Sequence, residues 1–218
     1  MISESFEKAG PIFRAGVEAV SPYRAVKKTL RISGDILRAG EHEYSLEKYD
    51  RIYVLGAGKC AGEMARAVET ILGERISAGM INTVSGRDHS LNVIEVTEAG
   101  HPVPDSKGVE GTEKILGLAD SAGERDLVIG LISGGGSSLL VAPAAGLSLR
   151  DLKEVNRLLL KSGAPIEKIN VVRKCLSRVK GGRLAGRIYP ATVLCLVISD
   201  VIGDRLETIA SGPLFPDL

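Results

Sequence analysis

The chain has 218 residues, enough for one large domain, and its 44% apolar and 25% charged residues are ordinary for a globular protein with a hydrophobic core. A formal net charge of +1 leaves no electrostatic footprint for nucleic acid or an anionic membrane, and the absence of Trp argues against a base-stacking surface. Three cysteines (Cys60, Cys175, Cys195) with no C-x-x-C spacing suggest neither zinc nor disulfides, so a cytoplasmic location is expected; the N-terminus is acidic where a signal peptide would be basic, and no apolar run approaches a membrane span.

In chain order, apolar residues at helical spacing predict helix over 4–29, with Pro11 and Pro22 as interruptions. A polar-flanked hairpin is expected over 30–46. The stretch RIYVLGAGK (51–59) reads as a buried strand, and CAGEMARAVETILG (60–73) as an amphipathic helix closed by Gly73. Strands follow at 78–86 and 92–100, then a helix over 105–122 capped by Asp105. DLVIGLISGGGSS (126–138) is a strong strand running into glycine. Ser148 caps a helix ending at Gly163, Pro165 opens another that reaches Lys180, and ATVLCLVISD (191–200) is the last strand. Strands apolar at nearly every position, alternating with helices, predict an α/β domain: a Rossmann-like doubly wound, mostly parallel sheet with helices on both faces.

The 26 glycines concentrate just after the strands. In a doubly wound sheet those strand ends share one edge, outside which ligands bind. Lys59, Asp88, His101, Ser137, Ser138 and Asp200 are therefore expected to converge though scattered in sequence. Gly56-x-Gly58-x-x-Ala61 matches the dinucleotide pattern, but no acidic ribose partner follows over 79–84. Lys59 in that loop reads either as a cation at an anion-binding helix start or as a solvated lysine on a tight turn. The run Ser133, Gly134, Gly135, Gly136, Ser137 and Ser138 reads as a nest for phosphate oxygens or as a flexible loop. It fails the G-x-S-x-G esterase pattern, because Leu139 stands at the last position. Asp200 and Asp204, four residues apart, suit Mg²⁺ or proton acceptance from a hydroxyl, with a helix cap as the alternative. His101 lies in a turn fixed by two prolines and reads as a ligand contact or a structural histidine. Arg173, Lys174, Arg178, Lys180 and Arg183 form a basic stretch that reads either as a helix end reaching an anionic substrate or, for most of these charges, as a solvated face.

Five segments in order resemble the glycerate 2-kinase family of the MOFRL type, some of whose members carry the label hydroxypyruvate reductase: VLGAGKCAGEMA, GHPVPD, LISGGGSSLL, NVVRKCLSRVKGGRLA and VISDVIGDRLETIASGP. The resemblance covers nearly the whole chain. It implies transfer of phosphate from ATP to the 2-hydroxyl of D-glycerate with Mg²⁺. By motif, Lys59 would contact the substrate or the transferring phosphoryl group, Gly58 and Gly134 to Ser138 would line the phosphate or substrate, Asp200 would act beside the reacting hydroxyl or metal, and Lys180 would be a further anion contact. Cys175 stands where the family more often has His, and SGPLFPD departs from the usual SGPTVPD. The resemblance further implies that residues 1–218 are the N-terminal domain, with the C-terminal MOFRL domain absent from this chain; association with that domain or a homodimer is then expected. Two other readings are an NAD(P)H-dependent hydroxypyruvate reductase, resting on the Gly56 to Ala61 pattern, and a non-catalytic sugar-phosphate-binding module, for which the glycine loop would suffice.

Overall fold

The computed structural model describes residues 2–86 and 90–216; Asp88 lies outside the described residues. The N-terminal helical stretch divides into α1 (Ile2–Ala19) and α2 (Pro22–Thr29). The break falls before Pro22, which takes the first position of α2, where its missing N–H costs nothing. Residues 30–45 form three antiparallel strands, β1 (Leu30–Ser33), β2 (Ile36–Ala39) and β3 (His42–Ser45), one more than the predicted hairpin.

The main sheet is parallel and has five strands: β4 (Arg51–Ala57), β5 (Ala78–Val84), β6 (Ile94–Ala99), β7 (Asp126–Ser133) and β8 (Thr192–Ile198), in the order β6-β5-β4-β7-β8. Successive residues of β4 feed opposite faces. Ile52 and Val54 join a core with Met64, Val68 and Leu72 of α3 (Ala61–Leu72), whereas Tyr53 and Leu55 join one with Ile115 and Leu116 of α4 (Ser106–Ser121). All eight residues of β7 are buried, as expected for a central strand covered on both sides. Asp105 caps α4 by accepting from the Gly108 N–H, and Gly73 closes α3 at φ +53°.

Four further helices follow β7: the short α5 (Gly136–Leu139), α6 (Leu149–Lys161), α7 (Ile166–Cys175) and the short α8 (Arg183–Ile188). Ser148 and Asp151 form a reciprocal capping box at the start of α6. The helix predicted to reach Lys180 ends at Cys175, and its remaining basic residues enter the loop leading to α8.

The chain runs β4, β5, β6 outward on one side, and α4 then returns it to β7 on the other side of β4. The strand order reverses between β4 and β7. Such a reversal opens a crevice at the carboxyl ends of the two strands. Both glycine loops, after Ala57 and after Ser133, leave the sheet there.

Candidate active site

The loop after β4 is stitched to the loop after β7. Gly58 has φ +146°, and a β-carbon on it would lie 2.1 Å from Ser133 Oγ and 2.7 Å from Ser133 O. Only glycine fits that approach. The Gly58 N–H donates to Asn82 O (3.1 Å), the Lys59 N–H to Gly134 O (2.9 Å) and the Cys60 N–H to Ser133 Oγ (3.1 Å). The donors that a dinucleotide loop would offer to pyrophosphate are thus taken up within the protein. Ser133 is buried, and its hydroxyl serves this junction.

With its backbone fixed, Lys59 sends its side chain over the second loop. A β-carbon on Gly135 would lie 3.1 Å from Lys59 Cγ and 3.0 Å from both Cδ2 and Nε2 of His101. One on Gly134 would lie 2.3 Å from Asp200 Oδ2. Lys59, His101 and Asp200, supplied by the ends of β4, β6 and β8, therefore meet the chain at two consecutive glycines, and all three remain exposed. Burial, and then the neighbouring Lys59 charge, hold the His101 imidazole below the usual histidine range. At neutral pH it is an uncharged ring.

Gly135 adopts a left-handed conformation at φ +83° and starts α5. As the opening residues of a helix, Gly136 and Ser137 have N–H groups with no intrahelical acceptor. Ser138 Oγ donates to Gly135 O (3.1 Å), and Ser137 Oγ lies 2.9 Å from Ser211 Oγ. Ala210 and Ser211 have φ of +51° and +65°, and the Ala210 methyl lies 2.7 Å from where a Gly136 β-carbon would be. Backbone conformations this unfavourable for non-glycine residues persist only where their surroundings enforce them. Here the 209–212 turn packs against the glycine loop at Gly136, beside the Ala57 carbonyl of β4.

Lys180 sits beneath this loop rather than at its surface. Its Nζ donates to Ser137 O (2.6 Å) and Leu140 O (3.1 Å), tying down the carbonyl end of α5. Burial, reinforced by the Arg173 charge, brings its pKa down to about 7. Asp204 is exposed with φ +48°, and among the described residues no group of three His, Cys, Asp or Glu side chains is placed to hold a metal ion.

A cleft of about 280 Å³ runs from His101 and Gly135 past Ser137 and Ser138 to Arg173 and Lys180, with Leu152, Val155 and Leu159 of α6 as its apolar wall. Arg173 had looked like one of several solvated charges. Two others of that stretch do engage elsewhere, Arg178 with Glu113 and Arg183 with Lys174 O and Lys180 O. Arg173 instead turns into the cleft, where the side chains of Asn156 and Asn170 accept its hydrogen bonds. Nothing in the sequence pairs Asn156 with Arg173, because the contact depends on how α6 packs against α7.

The chain matches the domain family of unknown function DUF4147 over residues 8–218. It is 45% identical to the D-glycerate 2-kinase of Thermotoga maritima over 216 residues, covering 98% of this chain and 48% of that protein. It is 46% identical to the glycerate 2-kinase of Pyrococcus horikoshii over 201 residues, covering 92% of this chain and 44% of that one. The crystal structure of a glycerate kinase from Thermotoga maritima superposes with a TM-score of 0.83 at 45% identity, over 98% of this chain and 49% of the other. The chain thus spans about half the length of the curated relatives it matches.

Proposed function

Since the chain belongs to the DUF4147 family, whose relatives above are glycerate 2-kinases, we propose that it carries the phosphoryl-transfer edge of an ATP-dependent kinase acting on the 2-hydroxyl of D-glycerate. The observation that carries this reading is the meeting of Lys59, His101 and Asp200 at Gly134 and Gly135, at the point where the strand order reverses. Phosphoryl transfer needs positioning and charge cancellation more than covalent help from the protein. In the proposed reaction the 2-oxygen of glycerate bonds to the γ-phosphorus of ATP and the bond from that phosphorus to the ADP oxygen breaks. Asp200 accepts the hydroxyl proton, and Lys59 offsets charge on the transferring group. The uncharged His101 ring offers a hydrogen bond beside them without adding a second cation.

Mg²⁺ binds through one or two carboxylates together with substrate phosphates. The exposed Asp200 carboxylate, packed where Gly134 leaves room for it, fits that description, and Asp204 is the second candidate ligand. When bound, the ion would neutralise phosphate charge. Lys180 acts from below the loop in this reading, holding α5 in place. The loop donors taken up by Ser133, Gly134 and Asn82 weigh against a reductase, whose nicotinamide cofactor would need them.

In this reading the chain supplies one side of a two-part cleft. Leu158, Leu160, Ile166 and Val171 leave apolar surface open on α6 and α7, where a C-terminal domain or a second copy would dock. With no helix among the described residues long and apolar enough to cross a membrane and three free cysteines, a cytoplasmic setting belongs to the same proposal. The test is phosphorus NMR of the chain with ATP, Mg²⁺ and D-glycerate. Formation of 2-phosphoglycerate, lost in Lys59→Ala and Asp200→Asn, is expected. A product that persists in both variants, or no product even when the chain is supplied with the C-terminal half of a relative, would overturn it.

A further inference from the structure

The cleft beside the glycine loop is cationic, and no acidic side chain lines it. Arg173 has no Asp or Glu partner among the described residues. Its Nε and one Nη2 hydrogen reach Asn156 Oδ1, and one Nη1 hydrogen reaches Asn170 Oδ1. A guanidinium has five N–H groups. Two therefore remain, one on each terminal nitrogen, available to an anion such as a carboxylate. The two asparagines orient this fork but cannot neutralise it. Lys180, buried in the same cleft wall, gives two hydrogen bonds to carbonyl oxygens and retains one N–H as an ammonium. Burial of both groups raises the cost of leaving their charges without an anion.

We propose that Arg173, held by Asn156 and Asn170 and assisted by Lys180, is the receptor for the carboxylate of the substrate, and that it selects acids over uncharged polyols. This rests on the kinase reading for the identity of the substrate, though not for the recognition of the anion. The cleft is continuous from Arg173 to Gly135 and His101, so a molecule anchored by its carboxylate extends its hydroxyl-bearing carbon toward the Lys59 and Asp200 edge. A polyol lacks the anion and leaves the Arg173 cation uncompensated.

Calorimetric titration of the chain at low salt and pH 7 tests this, with D-glycerate and glycerol as ligands. D-glycerate is expected to bind and glycerol not to bind. Arg173→Gln should weaken glycerate binding at least tenfold, Arg173→Lys should fail to restore it because the planar guanidinium is gone, and Arg187→Gln, which removes a surface arginine paired with Asp120 outside the cleft, should retain it. Equal binding of glycerol, no binding of glycerate, or unchanged affinity in Arg173→Gln overturns the proposal. If Arg173→Gln does not fold, the arginine Nε–H signals of the ¹⁵N-labelled chain decide. One of them should shift with glycerate and not with glycerol, and no selective shift overturns the receptor. Failure of the kinase reading looks different. Glycerate binding that depends on Arg173, with no phosphoglycerate formed, keeps the receptor and removes the kinase. Phosphoglycerate formed with an unchanged KM for glycerate in Arg173→Gln does the reverse.

Discussion

Gly134→Ala separates the position of Asp200 from its presence. The added β-carbon would sit 2.3 Å from Asp200 Oδ2 and 2.8 Å from Cγ, against 3.4 Å or more for ordinary contact. The carboxylate must therefore withdraw by about 1 Å to reach van der Waals separation. The φ of Gly134 lies outside the left-handed region, and Asp200 is an exposed side chain free to rotate. The fold should consequently tolerate the change, with stability altered by less than about 1 kcal/mol in urea unfolding. A displacement of that size at a reacting group costs on the order of 10²-fold in rate, or about 2.7 kcal/mol of barrier. Turnover of ATP and D-glycerate should thus fall by that factor with the far-ultraviolet spectrum unchanged. The double variant Gly134→Ala/Asp200→Asn should be no slower than Asp200→Asn alone, because both act through one carboxylate. Wild-type turnover in Gly134→Ala, or multiplicative losses in the double variant, would refute the placement of Asp200 as the group that acts at this loop.

Gly58→Ala should behave in the opposite way, because the atoms it meets are backbone and a buried hydroxyl, at 2.1–2.9 Å from its β-carbon, at a φ that disfavours side chains. Urea unfolding is expected to show a loss of at least about 2 kcal/mol. Glu69 is buried on α3 and accepts the N–H groups of Asn92, Val93 and Ile94 at the entry to β6, so Glu69→Ala should destabilise by at least about 2 kcal/mol in the same assay. Lys180 gives a pH signature. Its folded pKa, about 7, lies below the unfolded 10.5, so between those values the unfolded chain holds a proton that the folded chain has released. Stability must then rise with pH, by up to about 1.4 kcal/mol per unit. Between pH 7 and 8.5 the unfolding free energy of the wild type should rise more steeply than that of Lys180→Met, and equal slopes would show that Lys180 stays charged in the fold.

The parallel sheet was legible because its strands are apolar on both faces, and its edge because β4, β6, β7 and β8 each end in glycine, a turn or an acidic residue. The register that sets Lys59 beside Gly135 could only be anticipated in outline, since it needs β4 and β7 to be neighbours although about 70 residues separate them. The third strand of the meander follows a second turn glycine: Gly34 and Gly40, at φ +58° and +59°, join its three strands. The short α5 and α8 left no periodicity to read, being four and six residues long. The inward placement of Lys180 and Arg173 was not legible for one reason. Both belong to a charged stretch whose sequence looks solvated, and only the packing of α5, α6 and α7 turns two of those cations inward.

The three consecutive glycines illustrate the difference between a flexible loop and a crowded one. Flexibility would leave open space around each α-carbon, as at Gly34, Gly86 or Gly146, where a β-carbon would meet nothing within 4 Å. At Gly134, Gly135 and Gly136 the missing side chains are instead replaced by Asp200, by His101 with Lys59, and by Ala210 with the Ala57 carbonyl. Each glycine admits a different neighbour, and those neighbours come from three separate stretches of the chain, at the ends of β4, β6 and β8. The entropy lost in fixing the run is therefore offset by contacts that no other residue would permit. It follows that the run cannot be shortened or substituted uniformly: a change at Gly136 disturbs the turn at Ala210, whereas a change at Gly134 disturbs a carboxylate. In the proposed kinase the loop is therefore the surface at which Lys59, His101 and Asp200 meet, with Lys180 fastening it through Ser137 O.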